Sequence, residues 1–134
     1  VADLIAIRQG LAAALEPLGF QVSPWVLSEP TPPCAYVTVG PEDYAQVMAG
    51  GHTELTFIVF VLVGMASEVG AQQQLDQMLD TEGAQSVKAL LEVDQTLDGA
   101  AFSVHVPSRT GERLYRRTVS TPLLGAEWTV LVRA

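Results

Sequence analysis

Charge is scarce in this sequence. Asp, Glu, Lys and Arg make up 16% of its 134 residues, where a soluble domain usually carries about 25%. A solitary domain needs charge to cover its outside. The shortfall predicts that part of the surface is covered by other protein, as in an assembly subunit. Lysine is scarcest: Lys88 stands alone beside six arginines, and 15 acidic residues bring the net charge to −8. Such a balance argues against general affinity for nucleic acid, which draws on clustered Lys and Arg. An acidic surplus serves solubility first. Its narrower use is a wall past which DNA slides without sticking.

Cysteine is nearly absent. Cys34 has no second thiol to pair with, which fits a chain folded in a reducing compartment. It precedes a short strand, and reads as a buried small thiol rather than a nucleophile. Long apolar runs are missing too. The best, Leu55–Met65, contains Thr56 and falls far short of the ~20 residues of a spanning helix. Val1–Leu11 carries Asp3 and Arg8, where a signal peptide's core would be apolar. The expectation is a soluble protein with no membrane partner.

Catalytic groups are few. His52 sits beside a Gly-Gly turn and His105 within a strand, where a solvent-facing role outweighs that of a general base. Cys34, His52 and His105 have no metal-ligand spacing. Asp76 and Asp80 lie one helical turn apart and read as a solvated face whose like charges repel slightly. Neither a phosphate-cradling glycine loop nor a Gly-x-Ser-x-Gly elbow is present. No enzyme, cofactor or metal is expected.

What is present is a patterned core. Leu4, Ile7, Leu11, Leu15 and Leu18 recur at helical spacing behind Asp3 as a cap, and Pro17 and Gly19 close that helix. Phe20–Leu27 contains Pro24, which confines it to a sheet edge. Glu29–Pro33 is a proline-rich loop, Ala35–Gly40 a short strand, and Glu42–Gly51 a long connection. Thr53–Gly64, rich in β-branched and aromatic residues, is the spine of the sheet. From Ile58 onward both its faces are apolar, which predicts cover on both sides.

Ala71, Leu75, Met78 and Leu79 then stripe one helix behind Ser67, and Val87, Leu90 and Leu91 mark another. Asp98-Gly99 signals a turn. Ala101–Val106 is a strand, Ser108–Glu112 is expected to turn the chain around Gly111, and Glu112–Val119 and Leu123–Arg133 close the series. Strands in runs, with helices between, predict one α+β domain over residues 1–134. Its sheet is mostly antiparallel, with helices on one face. Arg109, Arg113, Arg116 and Arg117 interleave with Tyr115. Given the acidic total, this basic cluster suits interface ion pairs better than nucleic acid.

Five segments carry a resemblance. They are Ala2-Asp3-Leu4-Ile5-Ala6-Ile7-Arg8, Pro30-Thr31-Pro32-Pro33, Ser86-Val87-Lys88-Ala89, Thr96-Leu97-Asp98-Gly99, and Leu124-Gly125-Ala126-Glu127-Trp128-Thr129-Val130. Together they resemble the tail terminator proteins of long-tailed actinobacterial phages, nearly end to end. Neck and head–tail connector proteins share much of the same pattern. The resemblance implies a structural subunit of the virion at the head–tail junction, assembled in the host cytoplasm. It implies a homo-oligomeric, hexameric ring that caps the tail tube and stops its growth. Its partners would be the major tail tube protein and the head-closure or neck protein, with DNA only as cargo passing through the lumen. No catalytic residues come with it.

Two surfaces are candidates for subunit contact: Tyr44, Val47 and Met48 in the Gly40–Gly51 connection, with the sheet edges, and Arg113, Tyr115 and Arg116 on the arginine strand. A monomeric ligand-binding α+β domain is the competing class. It requires a concave pocket with converging polar groups, for which Asp76, Asp80 and His105 are the residues to inspect.

Overall fold

A computed structural model describes residues 4–26, 33–40, 54–65, 69–93, 96–97, 99, 101, 103–115 and 122–133. Helix α1, Leu4–Ala14, runs into a 3-10 turn at Glu16–Leu18. Pro17 sits inside that turn, and Gly19 ends it in the left-handed region (φ 84°), donating its N–H to the Glu16 carbonyl. The buried stripe of α1 is Ile7, Leu11 and Ala12, continued by Leu15 and Leu18. Leu4 is exposed instead of joining it.

Strands β1 (Gln21–Ser23), β2 (Cys34–Val39) and β3 (Glu54–Met65) follow, then helices α2 (Val69–Leu79) and α3 (Val87–Val93). Strands β4 (Ser103–Arg109), β5 (Arg113–Tyr115) and β6 (Leu123–Arg133) close the chain. The fold is a single α+β domain with a six-stranded sheet ordered β1-β2-β3-β6-β4. Only β1 with β2 is parallel, and β1 takes the edge position that Pro24 favours. Among the described residues no helix is long and apolar enough to cross a membrane.

The longest pairing is β3 with β6, from Glu54 opposite Arg133 to Met65 opposite Leu123. Its alternation sorts side chains into two faces. Leu55, Phe57, Val59, Val61 and Val63 of β3 share one core with Leu124, Ala126, Trp128, Val130 and Val132 of β6. Ile7, Leu11 and Leu15 of α1 and its following turn, Leu75 and Met78 of α2, and Val87 and Leu91 of α3 cover that face.

All three helices bury their stripes on one face of β3, so no described helix supplies the second cover expected from Ile58 onward. On that other face Thr38, Ile58, Phe60, Thr129 and Leu131 are half-buried, while Cys34 and Leu62 are buried. One expectation fails: Ser108–Glu112 makes no reversal. Strand β4 continues through Arg109, and β5 carries on in the same direction along the same edge of β6. Thr110 holds the junction: its N–H donates to the Glu127 carbonyl (2.8 Å) and its hydroxyl accepts the Glu127 N–H (3.0 Å). Gly111 therefore lies in a bulge of an otherwise continuous edge. A second irregularity between His105 and Ser108 accommodates Pro107, which has no N–H for the ladder.

The bulge makes a discriminating prediction. A glycine turn would depend on Gly111, whereas here an added Cβ meets nothing within 4 Å. Gly111→Ala should stay within about 0.5 kcal/mol of wild type in urea denaturation. Thr110→Val, which strips the acceptor from a half-buried N–H, should cost about 1–2 kcal/mol.

Candidate assembly surface and the adjoining cleft

The sheet face that no described helix covers is built around aromatic rings. Tyr36 on β2 lies opposite Phe60 on β3, and their rings stack at 5.0 Å with 7° between planes. Tyr115 on β5 meets the same Phe60 edge-on at 6.2 Å, although β6 runs between their strands. Gly125 makes that reach possible. It occupies the β6 position between Leu62 and Arg113, and a Cβ there would clash with the Val61 carbonyl oxygen and come within 3.2 Å of the Tyr115 ring. The missing side chain gives Tyr115 a floor to lie on.

Glu127, opposite Phe60, sets a carboxylate within this face. Its Oε2 accepts from the Tyr115 hydroxyl at 2.8 Å and from Arg113 Nη1 at 3.3 Å. Burial, the hydrogen bond to Glu127 and the charge of that carboxylate hold the Tyr115 phenol well above its ordinary range, outweighing the opposite pull of Arg113. Ile58, Leu131 and Leu123 extend the apolar area, with Arg133 near Glu54 (3.9 Å) at the far end.

The sequence-level candidates divide. Arg113 and Tyr115 belong to this face, while Tyr44, Val47, Met48 and Arg116 lie outside the described residues, as does Arg117. Arg109 is not part of the same cluster. Opposite Trp128, it turns to the helix side, where Nε donates to the Leu79 carbonyl (3.1 Å) at the end of α2 and Nη1 to the Thr110 carbonyl (3.0 Å). The bulge at Gly111 places Arg109 and Arg113 on opposite faces, which residue spacing alone does not reveal. Asp76 and Asp80 are both exposed, as a solvated face requires. Asp76 also raises the carboxyl of Glu112 through a shared hydrogen bond, with burial and mutual repulsion adding to it, while Asp80 Oδ1 accepts the Glu82 N–H at 3.4 Å.

On the outer edge of β4, α3 caps Val106. Glu92 Oε2 accepts the Val106 N–H at 2.9 Å, and Lys88 Nζ donates to the Val106 carbonyl at 3.3 Å. Both Val106 groups are thus occupied, which disfavours strand addition at that point. Lys88 holds both Glu92 oxygens at 2.8 Å, and His105 Nδ1 lies 3.2 Å from Oε2 with its side chain 65% exposed. Burial alone would raise the Glu92 carboxyl. The Lys88 and Val106 hydrogen bonds and the charges of Lys88 and His105 overcome it and hold the carboxyl below its usual range.

Beside this clamp, a cleft of about 340 Å³ opens between the end of α2, the start of α3 and β4. Asp80, Lys88, His105 and Arg109 line it together with Trp128. Asp80 and His105 thus do meet at one concavity, and Asp76 is not in it.

No protein-family model matches the chain, and no curated protein matches its sequence.

Three measurements check this geometry. Gly125→Ala should cost about 1–3 kcal/mol in denaturation and weaken the near-ultraviolet aromatic signal, because Tyr115 must leave Phe60. A raised phenol stabilises the fold below its unfolded value and loses that contribution as pH rises. Wild type should therefore lose stability above pH ~10, and Tyr115→Phe should flatten that limb. Glu92 has the opposite sign: its contribution is present above the ordinary carboxyl range and is lost as pH falls through the lower folded value. Acid unfolding of Glu92→Gln should accordingly show a shallower slope below pH ~4.5.

Proposed function

We propose that this protein is a structural ring subunit of a phage tail. It would cap the tail tube, stop its growth and join it to the head-closure proteins. The observation that carries the reading is the sheet face that no described helix covers. Tyr36, Ile58, Phe60, Tyr115 and Leu131 lie half-buried on it, interleaved with Thr129 and the Glu127–Arg113 pair, in a chain short of charge. Aromatic and aliphatic groups among engaged polar ones suit a protein interface.

The resemblance to tail terminators supplies the ring, the hexamer and the tube and neck partners. A neck or head–tail connector role uses the same surface and differs only in neighbours. On this reading DNA is passing cargo and the −8 charge keeps the lumen from binding it. The capping of Val106 also favours packing through the face over strand addition at that point.

A monomeric ligand-binding domain is the second reading, and the cleft at Lys88, His105 and Arg109 favours it. Light scattering after size exclusion separates the two. Wild type should elute near six subunits, with Ile58→Lys/Leu131→Lys a folded monomer. A wild-type monomer at all concentrations, or a double variant that still assembles, would remove this face from the account.

A further inference from the structure

The cleft beside α3 has a chemistry of its own. Its donors are held in place from behind. Arg109 is fixed by the Leu79 and Thr110 carbonyls through Nε and Nη1, and Nη2 donates to no described atom. Lys88 is fixed by Glu92 and the Val106 carbonyl. Thr81 and Ser108 add hydroxyls. The lining carboxylate, Asp80, is engaged with its own loop through the Glu82 N–H.

Glu92 and the Val106 carbonyl already take the N–H groups of Lys88, so the guanidinium of Arg109 supplies the spare N–H groups. One guanidinium matches one planar carboxylate, as a two-pronged pair. The remaining walls are apolar, with Leu79, Val106, Pro107 and the nearly inaccessible Trp128. A volume of about 340 Å³ is within the range of small-molecule sites and exceeds what a carboxylate alone would fill.

We propose that this cleft binds a small organic monocarboxylate carried on a flat apolar body, with Arg109 holding the carboxylate and Leu79 and Trp128 the body. The site is separate from the sheet face that no described helix covers and would be present in a monomer and in a ring alike. Its failure would leave the assembly reading untouched, and failure of assembly would leave the site.

The test is titration of ¹⁵N-labelled protein with benzoate, with benzamide as the uncharged counterpart and inorganic phosphate as the anion without a body. Benzoate should shift the signals of Lys88, Ser108, Arg109 and Trp128 saturably. Benzamide and phosphate should bind roughly tenfold more weakly or not at all, as should benzoate to Arg109→Gln. If Arg109→Gln does not fold, Arg109→Lys, which keeps the charge and loses the fork, takes its place with the same expected loss. Absence of saturable shifts, equal binding of benzamide or of phosphate, or unchanged affinity in the folded variant would overturn the proposal.

Discussion

The pairing of β3 with β6 is the constraint on which everything else in this structure depends. It decides which side chains join the helices and which are left over. A one-residue slip of β3 would carry Phe57 to the other side and Phe60 into the core, and a slip of β6 would do the same to Trp128 and Glu127. The register is held by the buried alternation on one face and, near Gly125, by a close approach that only glycine allows. Burying Trp128, Phe57 and the helix stripes together makes a slip costly. The same commitment leaves Tyr36, Ile58 and Phe60 without cover from any described helix.

That residue of the pairing is where physics and function meet. A sheet face with stacked rings, a carboxylate engaged by a phenol and an arginine, and aliphatic neighbours is more ordered than a solvated face requires. Gly125 accepts a poorer strand position so that Tyr115 can cross β6, and Thr110 keeps the edge continuous so that β5 lies where Tyr115 can do so. On the other side, α3 spends its one lysine and Glu92 on closing the edge of β4 at Val106. Strand addition at Val106 is thereby disfavoured.

Much of the fold was legible because burial writes itself as period. The 3.6-residue stripes of α1, α2 and α3 and the alternation of β6 led to the right elements in the right order. What stayed hidden was the cover of the second face of β3, since apolar residues at Ile58 and Phe60 look the same under a helix or awaiting another subunit. The bulges were hidden as well. Gly111 beside charged residues signals a turn, and only the Thr110–Glu127 exchange shows that the strand continues. From that one misreading follows the dispersal of the arginines, with Arg109 on the helix side and Arg113 on the other. The Lys88–Glu92 spacing of one helical turn was visible in the sequence, whereas its grip on Val106 depends on tertiary packing.

The central claim is that the face bearing Tyr36, Phe60 and Tyr115 is the surface through which copies of this protein meet. A cryo-electron-microscopy reconstruction of the assembled particle tests it most directly. The account predicts a closed ring in which Ile58, Phe60 and Leu131 are buried against the neighbouring subunit. A ring whose subunits meet elsewhere, with those three side chains facing solvent, would contradict it.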